Sequence, residues 1–216
     1  ASVRLKGLFL LRRESKLWPD QTTDKTRDNA MRLSREAKAQ HHEEITAAAS
    51  KMLRERGIER TSVVDLMQAV GLTHGGFYRH FKSKDELVAS SAAKAFEEVV
   101  DRFETRTERH GPKAALTAYI LEYLSDTHRD DPTIGCMVSA CGAEASRQAD
   151  VVREAFTAGI SKLIELAEEG LSCPENKRTE RAIELGGLML GALVMARAST
   201  DAILSDTILA DAKRRS

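Results

Sequence analysis

Residues 61–87, TSVVDLMQAVGLTHGGFYRHFKSKDEL, contain the start and stop signals of three successive helices. Ser62 is followed three residues later by Asp65, an acidic variant of the capping box that begins many helices. Gly71 then supplies the positive φ angle at which a helix commonly ends. Between these signals, apolar residues recur at helical spacing at Val63, Leu66, Met67 and Val70. The pattern predicts one short helix that ends in a tight turn.

A second helix is predicted directly after this turn. Thr73 is its expected N-cap, and Phe77 and Phe81 form its inner face. Ser83 and Glu86 then form a capping box that starts a long third helix. Two short helices joined by a tight turn are typical of a helix-turn-helix unit.

The second helix has residues that suit the major groove of DNA. Base edges are contacted by the N-terminal residues of such a helix, where Gly75 and Gly76 allow the backbone to come close. The alternative is that these glycines only permit a tight crossing of two helices. Tyr78, His80 and Lys84 carry donors that suit phosphate oxygens. The predicted DNA-binding residues are Thr61, Ser62, Thr73, His74, Gly75, Gly76, Tyr78, Arg79, His80 and Lys84.

Residues 45–87 resemble the N-terminal DNA-binding domain of the TetR/AcrR family of bacterial transcriptional regulators. The resemblance lies in a helix that ends at Gly57, the Thr61-Ser62 cap, the Gly71 turn, and the runs Phe77-Tyr78-Arg79-His80-Phe81 and Ser83-Lys84-Asp85-Glu86-Leu87. It covers roughly a fifth of the chain. It implies an all-α protein with an N-terminal three-helix helix-turn-helix domain and a C-terminal helical domain for effector binding and dimerisation.

The overall charge places a limit on how the chain can bind DNA. The 216 residues include 33 basic and 33 acidic side chains, so affinity for DNA must come from a local basic face. Arg79, Lys82 and Lys84 form such a cluster in the sequence.

The longest apolar run, residues 188–196, is shorter than the roughly 20 residues that span a bilayer, and we expect a cytoplasmic protein. Three cysteines, an odd number, indicate free thiols.

Residues 1–34 differ in composition from the rest. They contain Trp18 and a polar run at residues 20–29 without a sustained helical period, which predicts a flexible N-terminal extension that precedes a natural start at Met31. The alternative is a DNA-binding arm, because residues 1–40 hold ten basic and five acidic side chains. The helix-turn-helix domain is then expected at residues 35–87, and the ligand-binding and dimerisation domain at residues 88–216.

The rest of the chain is predicted to form helices separated by short turns. Expected helices cover residues 83–107, 112–128, 137–147, 152–170, 177–198 and 201–213. The family resemblance implies that the last two helices form the interface of a homodimer. Gly186, Gly187 and Gly191 would let another helix approach closely there. Burial of these helices within one subunit is the alternative.

The resemblance also implies a cavity for a small effector among the middle helices. An apolar or aromatic compound is the default ligand, although the same residue types at helical spacing also form ordinary cores. Cys136 and Cys141 add a second hypothesis, in which a thiol responds to electrophiles. The candidate lining residues are Phe96, Phe103, Tyr119, Tyr123, Cys136, Met137, Cys141, Phe156 and Met189.

No motif in the sequence indicates a metal, a cofactor or an enzyme. His41 and His42 are adjacent and not four residues apart, and the cysteines form no CxxC pair. The predicted function is that of a dimeric, sequence-specific repressor that a small-molecule or thiol-reactive effector releases from a pseudo-palindromic operator. Two alternatives stay open, namely an architectural or protein-interaction helix-turn-helix module without an effector, and an all-helical enzyme.

Overall fold

The protein is described by a computed structural model that covers the backbone of residues 21–216 and the side chains of residues 35–216. These residues belong to two compact units, of which the first ends at Ala39 and the second is Gln40–Ser216. The described backbone has no strand, which confirms the all-α prediction. Its α-helices are α1 (Gln21–Arg56), α2 (Val63–Ala69), α3 (His74–Phe77), α4 (Lys84–His110), α5 (Pro112–Tyr123), α6 (Asp126–Asp130), α7 (Met137–Ala145), α8 (Asp150–Gly170), α9 (Arg178–Ala198) and α10 (Ala202–Arg215). Among the described helices, none is long and apolar enough to cross a membrane.

Helix α1 begins earlier than the sequence pattern indicated. Its described part starts at Gln21, within the predicted N-terminal extension of residues 1–34, and the flexibility of that extension stays a prediction. Residues 20–56 contain no proline and no glycine, and a polar segment without these breakers can extend a helix without an apolar period. Trp18 and the rest of residues 1–20 lie outside the described residues, and the proposed domain boundaries at residues 34 and 87 stay predictions.

The helix caps and helix ends predicted in residues 57–87 are present in the structure. Gly57 and Gly71 have φ angles of 84° and 72° and end α1 and α2. The Ser62 hydroxyl accepts a hydrogen bond from the Asp65 amide at 3.0 Å, and the Ser83 hydroxyl accepts one from the Glu86 amide at 3.1 Å. The core of this region consists of fully buried apolar side chains at Ile45, Ala49, Leu66, Met67, Phe77, Phe81 and Leu87.

Helix α3 differs from the prediction in its cap and in its length. Thr73 occupies the N-cap position, but its side chain makes no capping hydrogen bond. The first turn is closed instead by the Gly76 amide, which donates to the Thr73 carbonyl oxygen at 2.9 Å. After Phe77 the chain continues in tighter turns, in which the amides of Arg79 and His80 donate to carbonyl groups three residues earlier.

The remaining helices pack around α4 and α8. Gly159 of α8 lies against the Phe96 ring of α4, where a β-carbon would approach the ring carbons to 2.2 Å, so only glycine permits this contact. Pro112 starts α5 as predicted, but the helix expected to reach residue 128 ends at Tyr123. The Ser125 hydroxyl accepts from the His128 amide at 3.2 Å and begins the separate helix α6, which explains the difference.

The turn at Gly57 is where three parts of the fold meet. The Glu144 carboxylate of α7 accepts hydrogen bonds from the Ile58 amide at 2.6 Å and from the Glu59 amide at 2.9 Å. A β-carbon at Gly57 would lie 2.3 Å from a Glu144 carboxylate oxygen, so the glycine also makes room for this contact. The Lys84 ammonium group of α4 donates to the Ile58 carbonyl oxygen at 2.7 Å.

Two further hydrogen bonds hold this turn and the end of α1. The Thr61 hydroxyl is buried and donates to the Gly57 carbonyl oxygen at 2.7 Å. The Cys141 thiol of α7 donates to the Leu53 carbonyl oxygen at 3.2 Å. The Leu53 carbonyl oxygen also accepts from the Gly57 amide at 2.8 Å, so carbonyl groups at the end of α1 are bonded by side chains in addition to the backbone.

We expect the substitution Glu144→Ala to lower the free energy of unfolding by about 1–2 kcal/mol, because two backbone amides lose their acceptor. Urea unfolding of the purified chain measures this loss, and Glu144→Gln should retain part of the stability because its amide oxygen still accepts. Glu59→Ala is the matched control, since that exposed carboxylate makes only a 3.9 Å ion pair with Arg147. Equal effects of Glu144→Ala and Glu59→Ala would contradict the structural role of Glu144.

Candidate nucleic-acid interface and effector cavities

The outer side of α3 and the residues that follow it form an exposed polar surface, here called the recognition surface. It consists of Thr73, His74, Gly75, Tyr78 and Arg79. The Tyr78 side chain is 66% exposed although it is large and aromatic, whereas the neighbouring inner ring of Phe77 is 1% exposed. The surface is therefore supported by a rigid apolar base and directs hydrogen-bond donors outward.

The glycines of α3 have no packing role within the described structure. A β-carbon at Gly75 would meet no atom within 4 Å, and one at Gly76 would make only ordinary contacts of 3.7 Å. The alternative that these glycines permit a tight helix crossing therefore has no support among the residues that the structure describes. Close approach of an external molecule to the backbone is the reading that agrees with the open space at Gly75.

Positive charge is concentrated beside the recognition surface. Residues 61–84 contain three Lys or Arg side chains and one acidic side chain, Asp65. Arg79 and Lys82 are exposed, and neither forms an ion pair with another residue in the described part of the chain. Unpaired exposed cations of this kind suit the phosphate backbone of DNA.

Four of the predicted DNA-binding residues have side chains that contact other residues of the domain. The hydroxyl of Thr61 and the ammonium group of Lys84 are bonded to the turn at Gly57, so both side chains act inside the domain. The half-buried His80 ring lies 6.2 Å from the His41 ring and 6.3 Å from the His42 ring. Ser62 is exposed, but its hydroxyl already caps α2.

Two adjacent cavities lie among the helices that follow α3. The first has a volume of about 310 Å³ and lies between α5, α8 and α9, with a lining that is free of charged side chains. The second has a volume of about 290 Å³ and is lined by polar and charged groups of α4, α5 and α6, including Arg102, Glu122 and His128. Tyr119, Tyr123 and Cys136 line both cavities and separate them.

The predicted effector residues divide into two groups. Met189 lines the first cavity in addition to the three shared residues, and Phe156 lines an open groove beside α7. Phe96, Phe103, Met137 and Cys141 pack in the buried core and line neither cavity. Helical periodicity identifies the buried face of a helix, but it does not distinguish a filled core from a gap. Arg102 and His128 were missed because a single charged or imidazole side chain on a helix carries no distinguishing pattern.

His128 joins the elements around the second cavity. Its Nε2 atom accepts from the Cys136 amide at 2.9 Å, and its Nδ1 atom lies 2.6 Å from the Tyr123 carbonyl oxygen, which identifies Nδ1 as the protonated nitrogen. Burial lowers the pKa of His128, which favours this neutral form. Arg197 of α9 donates to the carbonyl oxygens of His128 and Arg129, the latter at 3.0 Å, and thereby ties α9 to α6.

The two cysteines of the α7 region differ in accessibility. Cys141 is buried, and burial raises the pKa of its thiol to about 12, so the thiolate is not populated near neutral pH. Cys136 is half-buried and faces both cavities. Of the two thiols, only Cys136 is placed where a molecule inside a cavity can reach it.

Comparison with known proteins agrees with these features. Residues 45–90 match a family model described as bacterial regulatory proteins of the tetR family. The chain is 29% identical over 85 residues to the uncharacterized HTH-type transcriptional regulator YvdT of Bacillus subtilis, a match that spans 39% of this chain and 42% of that protein. It is 25% identical over 168 residues to the uncharacterized HTH-type transcriptional regulator Rv0196 of Mycobacterium tuberculosis, over 74% of this chain and 85% of that protein. The chain spans less than half of the first curated relatives, 42% and 48% of their lengths.

Solved structures extend the likeness to the helical domain. A TetR transcriptional regulator from Chloroflexus aurantiacus has a TM-score of 0.68 and 25% identity, with coverage of 83% of this chain and 93% of that one. A TetR transcriptional regulator from Legionella pneumophila has a TM-score of 0.69 at 14% identity, covering 80% and 95% of the two chains, and shows the shared fold alone. Residues 45–90 therefore match the helix-turn-helix of the tetR family of bacterial regulatory proteins, and the chain as a whole is similar to TetR transcriptional regulators of known structure.

Proposed function

We propose that this protein is a homodimeric repressor that binds a pseudo-palindromic operator and is released from it by a small molecule. The proposal of DNA binding is carried by the recognition surface. There Tyr78 and Arg79 are exposed, and the free space at Gly75 lets another molecule approach the backbone of α3. Residues on the α3 side of a helix-turn-helix read base edges, whereas exposed donors around it bind phosphates.

The effector part of the proposal is supported by the position of α7. The residue before this helix, Cys136, lines both cavities, and Glu144 near its other end binds the amides of the turn at Gly57. The nine residues of α7 span about 12 Å, so a ligand that moves the start of α7 also moves the carboxylate that holds this turn. Ligand binding and the position of the DNA-reading helices can therefore be coupled through one rigid element.

The dimer is supported by an exposed apolar surface on α9 and α10. Large apolar side chains there are 45% to 80% exposed, and groups of exposed apolar side chains commonly mark interfaces. β-Carbons at Gly186, Gly187 and Gly191 would meet no atom within 4 Å, so the backbone of α9 is open to close approach by another helix. The apolar side chains are Ile183, Val194, Met195, Ile203 and Leu204.

Selection of bound fragments from the source genome by the purified protein tests the DNA-binding proposal as a whole. We expect the selected fragments to share an inverted repeat with two half-sites about one helical turn apart, as two-fold symmetry requires. Retention of fragments without any shared sequence would favour the architectural alternative. Failure to retain any DNA would contradict both.

Substitutions on the recognition surface should separate base contacts from phosphate contacts. We expect Arg79→Ala to weaken binding to all DNA about equally and to lower the salt slope of binding by about 1, because one phosphate contact is lost. His74→Ala should instead change which operator variants are preferred, since it lies at the start of α3. Fluorescence anisotropy with operator variants at several salt concentrations measures both effects. Arg109→Ala, which removes an exposed arginine at the far end of α4, is the matched control, and an equal loss on every sequence for His74→Ala would contradict base reading.

The dimer proposal predicts that Val194→Glu yields a monomer. A carboxylate placed on the apolar face of α9 would lose its hydration in the interface, whereas the side chain is 45% exposed in the single chain and should not prevent folding. Sedimentation velocity measures the oligomeric state, and operator affinity should fall with dimer content. Leu121→Glu is the control, because Leu121 is 55% exposed on α5 and outside the proposed interface. A dimeric Val194→Glu protein would place the interface elsewhere.

A thiol-reactive effector is a second candidate, and it is favoured by the exposure of Cys136 to both cavities. In that case a small electrophile should release the wild-type protein from its operator, and Cys136→Ser should abolish the release. Cys141→Ser serves as the comparison, because the buried Cys141 thiol is protonated and should not contribute. Release of the Cys136→Ser protein by the same electrophile would end this hypothesis.

A further inference from the structure

The two cavities differ sharply in chemistry although they share a wall. The lining of the first is apolar apart from the shared wall of Tyr119, Tyr123 and Cys136, with aliphatic side chains from α8 and α9 such as Leu163, Ile164 and Leu190. The second is lined by Arg102, by the hydroxyl-bearing side chains of Ser125 and Thr127, and by His128. A ligand that occupies both would need an apolar body and a polar end.

The polar end of such a ligand would meet an excess of positive charge. Glu122 is the only acidic group in the lining of the second cavity, and its carboxylate is paired with the Arg106 guanidinium at 2.5 Å. Arg102 makes no ion pair and no hydrogen bond within the described part of the chain. The His128 ring is neutral because one nitrogen accepts from the Cys136 amide. Arg102 is an exposed residue and supplies an unpaired positive charge to the lining of this cavity.

Two further guanidinium groups lie close to the same wall. Arg197 is bonded to backbone carbonyl oxygens and to the Ser139 hydroxyl at 3.2 Å, and no carboxylate is among its hydrogen-bond partners. Arg54 pairs with Glu98 only at 3.7 Å, and its Nε atom has no hydrogen-bond partner. The nearby Asp131 carboxylate accepts from the Thr133 amide and hydroxyl instead. Asp130 and Asp131 also lie near Arg197. An anion in the second cavity would therefore be attracted chiefly by Arg102, which has no carboxylate partner of its own.

The wall between the cavities also offers a donor. The Tyr119 hydroxyl makes no hydrogen bond with the described residues, although its ring lines both cavities and packs 6.1 Å from the Phe103 ring. Burial raises the pKa of Tyr119, so the phenol keeps its proton and can donate to an acceptor. A carboxylate beside Arg102 would satisfy this hydroxyl as well.

We infer that the two cavities together bind one amphipathic monocarboxylate, with its apolar body between α5, α8 and α9 and its carboxylate beside Arg102 and the Tyr119 hydroxyl. The inference rests on the proposed function, because this carboxylate would be the effector. It narrows the effector class from any apolar compound to an apolar acid. The ligand needs both parts, since the first cavity suits its apolar body and the second suits its carboxylate.

Isothermal titration calorimetry of the full chain with decanoate, decan-1-ol and butyrate tests this inference. We expect decanoate to bind more tightly than the neutral alcohol and more tightly than the short acid, because only decanoate uses both cavities. Arg102→Gln should weaken decanoate binding by about ten- to a hundredfold, the range for a hydrogen bond to a charged group, and should leave decan-1-ol unchanged. Arg109→Gln is the matched control, as it removes an exposed arginine of the same helix that lines neither cavity.

Three results would overturn the inference. They are equal affinity of decanoate for the wild-type and Arg102→Gln proteins, equal affinity of decanoate and decan-1-ol, and no decanoate binding at millimolar concentration. Butyrate binding as tightly as decanoate would also exclude the use of the first cavity. The calorimetric readout does not depend on DNA. A wild-type protein that binds its operator but not decanoate would contradict only this inference, whereas a protein that binds decanoate but no DNA would contradict the proposed function.

Discussion

The backbone at the end of α1 has polar groups that the helix itself cannot pair, and the fold around it depends on how these groups are satisfied. Gly57 turns the chain with a φ angle of 84°, which exposes the Ile58 and Glu59 amides to the Glu144 carboxylate. Lys84 and Thr61 bind carbonyl oxygens of the same turn. Ile58 is buried, so loss of the Glu144 carboxylate would leave its amide without an acceptor. The turn thereby ties α4 and α7 to the end of α1.

Both α4 and α7 reach from this turn to the cavities. Lys84 lies at the start of α4, and Arg102 lies 18 residues further along the same helix, about 27 Å at the helical rise. Glu144 lies near the end of α7, and Cys136 precedes its first residue. A ligand in the second cavity would therefore contact residues on or next to two rigid elements, α4 and α7, that also bind the turn at Gly57. This arrangement gives the proposed release from DNA a physical route that does not require unfolding.

Helix α9 contributes residues both to the first cavity and to the proposed dimer interface. Its inner side contributes Met189 to the first cavity, and Arg197 ties it to the carbonyl groups of α6. Its outer side exposes Val194 and the open backbone at Gly191. Ile183, Gly186 and Gly187 of the proposed subunit interface also line the first cavity. Ligand contacts and subunit contacts would thus meet on one helix, so a shift of α9 on ligand binding would alter the spacing of the two recognition surfaces.

The sequence by itself determined the features that depend on neighbours within about four residues. The Ser62 and Ser83 caps, the positive φ angles of Gly57 and Gly71, and the start of α5 at Pro112 are local, and the helix-turn-helix follows from them. Tertiary structure alone decided the roles that depend on distant contacts. Glu144 is 86 residues from Ile58, and Lys84 is 26 residues from it, so no local pattern assigns them to the turn at Gly57. Likewise, Tyr119 and Phe103 are both aromatic residues on apolar helix faces, yet only Tyr119 lines a cavity, because the packing of several helices determines where space remains.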